Sequence, residues 1–149
     1  RSSDLMFHLL KSEQIAAYLF SFNPEPGTVM ENTPRVPIAR TRRIQLVKNL
    51  IEEQDLPESA IEFDESGTIR AVDAPRELLE RVTENGVAFM TDGVPDRQGK
   101  MACNRPYGSY RPGEEFRDYP FLPDASDLKI IRNEMKLSEI VKSAESAVA

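Results

Sequence analysis

Val87-Ala88-Phe89-Met90, followed by TDGVPDRQGKMACNRPYGSYRPGEEFRDYPFLP from Thr91 to Pro123, is the stretch on which the reading of this chain turns. The apolar run at 87–90 reads as a short buried strand, and a long segment rich in Arg, Tyr and Gly after a strand reads as a functional loop. It contains the chain's single cysteine, Cys103. Just before the run, Asp73 and Pro75 are start signals for a helix whose apolar face is Leu78, Leu79 and Val82, with Gly86 as its stop. A weaker strand, Ala60 to Phe63, leads into the turn Asp64-Glu65-Ser66-Gly67. From Arg40 to Glu53 the spacing of Ile44, Val47, Leu50 and Ile51 is helical, and the run Arg40, Arg42, Arg43 and Lys48 reads as its solvated face.

Towards the N-terminus, Ile15 to Phe22 (IAAYLFSF) is apolar, continuous and rich in strand formers, the pattern of a buried parallel strand. Asn23-Pro24-Glu25-Pro26-Gly27 stops it. A first helix of about ten residues, capped by Ser3 or Asp4, carries Leu5, Leu9 and Leu10 on one side. His8 on that helix reads as a surface or packing residue. After the long loop, Asp124 or Ser126 starts a helix running through Ile131 and Met135 and breaking near Leu137, followed by a frayed tail. The resulting order is helix, strand, helix, strand, helix, strand, loop, helix. Such alternation predicts an α/β fold with about three parallel strands and crossover helices, the C-terminal part of a (β/α) TIM-like barrel. Residues 1–123 are then the barrel part with its closing loop at 92–123, and 124–149 a terminal helix and tail. Open strand edges in so small a sheet predict self-association.

Bulk properties narrow the function. At 149 residues one core is the expectation, and 40% hydrophobic with 30% charged residues is the composition of a soluble domain. A net charge of −6 speaks against a general nucleic-acid binder. No apolar run approaches the roughly 18 residues of a membrane helix. One Cys and one His exclude an internal disulfide and an all-Cys/His metal site within this chain. The lone cysteine suits a reducing, cytoplasmic setting. There is no Walker-type loop, no GxGxxG and no Ser-centred elbow. The start at Arg1-Ser2-Ser3-Asp4, without Met, suggests a fragment or processed chain.

In a parallel α/β fold, sites form at the carboxyl ends of strands, which points to 23–30 and 92–123. Pro24-Glu25-Pro26-Gly27-Thr28 is either a Pro-rich connection or a stiff turn in which Gly27 admits a ligand to the backbone while Thr28 and Glu25 offer polar groups. In the long loop, Arg105, Arg111 and Arg117 could grip carboxylates or phosphates, and Tyr107 and Tyr110 could stack. Alternatively these arginines pair with Asp96, Glu114, Glu115 and Asp118 to fix an irregular lid. Cys103 is either reactive or a small buried hydrophobe. With His8 as the sole imidazole, a Cys–His enzyme is not expected.

The segments LFSFNPEPGT (19–28), RRIQLVKNLIEE (42–53), IEFDESGTI (61–69) and FMTDGVPDRQGKMACNRPYGSYRPGE (89–114) resemble the C-terminal part of radical SAM enzymes of the biotin synthase-related group. That group includes archaeal-type lipoyl synthases, methylornithine synthase and hydrogenase-cofactor maturases. The resemblance spans roughly residues 2 to 123 and is most specific at PEPGT and CNRPYG. It implies a 4Fe–4S cluster that reductively cleaves S-adenosylmethionine (SAM) to a 5′-deoxyadenosyl radical in the complete enzyme. By position, Pro24, Glu25, Pro26, Gly27 and Thr28 would contact SAM. Asp92, Cys103, Asn104, Arg105, Tyr107 and Arg111 would face a small-molecule or protein-bound substrate. The CxxxCxxC cluster motif is absent, and one thiolate cannot hold what three normally ligate. The chain alone is therefore expected to be inactive, self-associating or completed by a missing N-terminal half of the barrel. Val94 stands where relatives often carry a cysteine and cannot ligate an auxiliary metal. A different reading is a non-catalytic α/β partner subunit that binds another protein through 92–123.

Overall fold

The computed structural model describes residues 2–13, 17–19, 22–91, 94–95, 101–103 and 117–142. Its centre is a helix, α2 (Ile38–Glu52), which buries Leu46, Val47, Leu50 and Ile51 and also Arg42, Gln45 and Lys48. Helix α1 (Ser2–Ser12), α3 (Arg76–Asn85) and α4 (Ala125–Met135) all pack against it. A helix covered on most of its circumference has no fully solvated face to give its charged residues. The expected solvated run Arg40-Arg42-Arg43-Lys48 is therefore corrected at Arg42 and Lys48, which are buried. One core cluster joins Phe7 of α1, the apolar residues of α2, Leu79 and Val82 of α3, Phe89, Tyr119, Ile131 and Met135 of α4, and Ile140.

The barrel expectation does not stand. Among the described residues the strands form two antiparallel pairs, with no run of parallel strands joined by crossover helices. Strand β1 (Ile61–Phe63) does form where the sequence places it. Its partner is β2 (Ile69–Val72), paired Ile61 to Val72, Glu62 to Ala71 and Phe63 to Ile69 with an irregularity between Glu62 and Phe63. The connecting turn explains the pairing. The Asp64 carboxylate accepts from the Ser66 and Thr68 amides and from the Ser66 hydroxyl, and Gly67 takes a positive φ of 76°. Such an Asx turn reverses the chain at once, which makes a hairpin and not a crossover.

The decisive run also differs. Val87–Phe89 is a single 3₁₀ turn, with Gly86 before it at φ 73°. Val87 is 51% exposed and Phe89 0%, so the run is buried on one side only, unlike a central parallel strand. In Ile15–Phe22, residues 17–19 and 22 belong to no strand, and 15, 16, 20 and 21 lie outside the described residues. Helix signals fared better. Gly86 ends α3 in the left-handed conformation, as its place in the sequence predicts. Asp124 caps α4 with a reciprocal capping box to Asp127, and Lys136 at φ 51° ends it before a 3₁₀ turn at Leu137–Glu139. At α3, Pro75 and not Asp73 takes the cap position, without a side-chain bond. The predicted tail, 143–149, lies outside the described residues.

Candidate functional site

The two segments singled out by sequence meet the fold differently. The turn at 24–28 is built from its own bonds. The Thr28 amide and hydroxyl both donate to the Glu25 carbonyl, at 3.3 and 2.8 Å, and the Gly27 amide donates to the Glu31 carboxylate at 2.7 Å. Gly27 has φ 80°, a conformation that favours glycine, and a Cβ added there would meet no atom within 4 Å. The backbone at Gly27 is thus open to approach, while Glu25, Pro26, Gly27 and Thr28 are exposed and Pro24 half-buried. Further turns at Glu31 and Thr33 carry the chain on to Pro34, Val36 and Pro37.

The long loop is tied at its base. The Thr91 amide donates to the Tyr119 carbonyl at 2.9 Å, and the Tyr119 amide donates to the Phe89 carbonyl at 3.1 Å. These bonds form a parallel bridge between Met90 and Tyr119. Entry and exit of the segment therefore lie side by side on the core. Inside it, β3 (Val94–Pro95) pairs with β4 (Met101–Cys103), setting Val94 opposite Cys103 and Pro95 opposite Met101. Of the predicted substrate-facing residues, Asp92, Asn104, Arg105, Tyr107 and Arg111 lie outside the described residues, as do Asp96, Tyr110, Glu114 and Glu115. Cys103 is placed by its backbone pairing alone.

At the exit sits a buried polar cluster that sequence reasoning missed. Arg42, 0% exposed, donates through Nε to the Glu134 carboxylate at 2.8 Å and through Nη1 to the Gln45 side-chain carbonyl at 3.0 Å and the Arg117 backbone carbonyl. The Gln45 amide nitrogen donates to the same Arg117 carbonyl at 3.0 Å and to the Asp118 carboxylate at 2.9 Å. Both lone pairs of the Arg117 carbonyl are therefore engaged. Arg117 in turn donates through Nη1 to the Val36 carbonyl at 2.6 Å and the Thr41 hydroxyl at 3.0 Å. The Arg42 guanidinium lies 5.5 Å from the centre of the Tyr119 ring, within cation–π range. Burial pushes the Tyr119 phenol above its ordinary value; Arg42 opposes this, and the carboxylates of Asp127, Glu134 and Asp124 add to it. The Val36 carbonyl and Thr41 hydroxyl that accept from the Arg117 side chain belong to neither reading of the loop arginines. The segment of Arg117 is fixed to α2 and to the Val36 carbonyl just before it.

Beside the tied base lies a groove of 390 Å³ whose walls include Gln45, Lys48, Asn49, Met90, Thr91 and Asp118. A second, of 540 Å³, lies between α3 and α4 and includes Glu80, Arg132 and Lys136. Neither groove includes a residue of 24–28. Among the described residues there is no group of three or more His, Cys, Asp or Glu that could hold a metal ion, and no helix long and apolar enough to cross a membrane. His8 is exposed and lies 3.2 Å from the Glu58 carboxylate. No family model, curated protein or solved structure matches the chain.

Proposed function

We propose that this chain supplies SAM-contacting and substrate-contacting segments to a radical SAM enzyme related to biotin synthase, with the iron–sulfur cluster held by another stretch of polypeptide. The observation that carries the reading is PEPGT at 24–28, with Gly27 open at positive φ and its backbone exposed. The tied ends of 91–119 support it in a second way, since a long segment anchored at its base on a rigid core is how binding loops are commonly presented. The reading rests on these residues and not on a barrel. A 4Fe–4S cluster does not fit this chain, because its single cysteine leaves two of the three thiolates to be found elsewhere. The open turn also lacks walls from the two grooves described, so SAM binding needs a second surface over Gly27. A reducing, cytoplasmic setting follows from the same cluster chemistry.

The test is to express the chain joined to the coding sequence that adjoins it, load iron and sulfide anaerobically, reduce, and measure 5′-deoxyadenosine. The joined polypeptide should form it, the chain alone should not, and Gly27→Val should lower the yield about ten-fold or more by straining the turn and blocking backbone approach. Adjoining sequence without CxxxCxxC, or a joined, cluster-loaded polypeptide that forms no 5′-deoxyadenosine, would overturn the reading; micromolar SAM binding by the isolated chain in calorimetry would overturn the need for a second surface.

A further inference from the structure

We infer that Arg117, seated by Arg42 and Gln45, is a positioning residue that couples the 24–37 segment to the exit of the 91–119 segment. The inference takes from the proposed function only the claim that these two segments carry the ligand contacts; the coupling itself stands on geometry.

Arg117 is held from both directions. Its backbone carbonyl is gripped by two donors of α2, Arg42 Nη1 and Gln45 Nε2, so the exit of the loop cannot slide along the helix without breaking both. Its side chain reaches the other way and gives both Nη1 protons to neighbours of the first segment, the Val36 carbonyl and the Thr41 hydroxyl. Val36 lies between Pro34 and Pro37, whose rings fix φ and so narrow the ways the chain can move around the Val36 carbonyl. Pro37 is also the residue from which α2 starts, and its carbonyl accepts from the Thr41 amide at 3.2 Å. One buried side chain thus touches the start of α2 and the stretch that follows the turns at 24–33, and it sits on the residue next but one to the Tyr119 tie.

The chemistry argues that the arrangement is kept for placement. Desolvating two guanidinium groups and an amide at one spot is costly, and hydrophobic residues of similar volume would fill it at lower cost. What the polar network adds is direction. Each donor has a fixed angle, and satisfied buried networks specify one geometry where packing alone tolerates several. A ligand that shifts either segment must therefore shift the other, and the effect is reciprocal.

Amide hydrogen exchange on the full chain tests this without any ligand. Four amides are the readout. Thr41 reports the start of α2, and Thr91 and Tyr119 report the loop base. Val72, whose amide donates to the Ile140 carbonyl at 2.7 Å and which is no hydrogen-bond partner of Arg117, is the control. In Arg117→Met, which keeps bulk and removes the fork, Thr41, Thr91 and Tyr119 should exchange about ten-fold faster while Val72 stays within about two-fold of the parent. Thr41→Val is the second variant. It removes the Arg117 acceptor at the start of α2, changes no residue of the loop, and should still speed exchange at Tyr119. Exchange that rises equally at Val72 assigns Arg117 to global stability alone and overturns the inference. So does a response of Tyr119 in Arg117→Met without one at Thr41, or no response of Tyr119 in Thr41→Val. None of these readouts involves SAM, so failure here leaves the proposed function standing, and absence of 5′-deoxyadenosine leaves the coupling standing.

Discussion

Replacing Arg42 by alanine removes the donor on which the loop exit, α2 and α4 converge. Breaking a buried ion pair by deleting one partner costs about 3–5 kcal/mol, because the remaining charge stays desolvated. The Glu134 side chain is 20% exposed and can recover water, which places the cost near the lower end, about 3 kcal/mol. The Gln45 side-chain carbonyl loses its donor, while the Arg117 carbonyl keeps the Gln45 amide. For a chain of this size, each kcal/mol moves the melting temperature by roughly 2–4 °C, so the midpoint should fall by roughly 6–12 °C. Urea unfolding followed by circular dichroism at neutral pH measures the loss directly, with an unchanged m-value showing that the native state remains compact. A companion variant separates charge from volume. Arg42→Met combined with Glu134→Leu removes both charges and refills the space, and should unfold within about 1 kcal/mol of the parent. A loss below about 1 kcal/mol in Arg42→Ala would mean that the guanidinium is solvated after all, as the charge run alone implies. A double variant as unstable as the single one would mean that the cost is packing around Tyr119 and not an orphaned carboxylate.

Two further predictions test other parts of the structure. Phe89→Ala should lose about 3–5 kcal/mol by opening a cavity in the core, whereas Val87→Thr should stay within about 0.5 kcal/mol; equal losses in the same urea assay would favour a strand buried on both faces over the 3₁₀ turn. The Asp124 carboxyl is held below its ordinary value of 3.8, first by the Ser126 hydroxyl and then by the Asp127 and Ser126 amides. A folded value below the unfolded one stabilises above 3.8 and loses that contribution as the pH falls through the lower folded value. Asp124→Ala should therefore melt below the parent at neutral pH and converge with it in strong acid; a gap that does not narrow as the pH is lowered below 3.8 would refute the cap as its origin.

What the sequence made legible was local. Gly86 announces a helix end because few other residues sit at φ 73° without strain, and the structure adds that its position is crowded. A Cβ there would lie 3.2 Å from Pro123 Cδ and 3.3 Å from Leu128 Cδ2. Asp124 announces a helix start because its side chain and that of Asp127 satisfy the first free amides. Strand direction was not legible in this way. An apolar run such as 87–90 has no periodicity to separate a buried strand from a turn that buries one residue, and Phe89 alone supplies the burial. The pairing of β1 is hidden for a related reason. Asp64-Glu65-Ser66-Gly67 reads as a turn, but nothing in Ile69–Val72 marks the strand that follows it, and without that partner β1 reads as a member of a parallel sheet.

The polar cluster was illegible for a physical reason that bears on the site. Arg42 and Arg117 are separated by 75 positions, and nothing local in either marks the other. On composition, an arginine in a charged helix belongs to solvent. It is buried here because the tie between Phe89, Thr91 and Tyr119 sets Arg117 against α2, where its peptide carbonyl needs donors once water is excluded. The requirement comes from closing the loop, and α2 supplies the donors from Arg42 and Gln45, three positions apart and so on one helix face. Two consequences follow from that order of causes. The cluster is specific to a chain in which Thr91 and Tyr119 lie side by side on the core, so its presence marks that tie as a fixed part of the fold. And since the same arginine that is held also reaches Val36, the position of the loop exit is set relative to the 24–37 segment and not merely relative to the core.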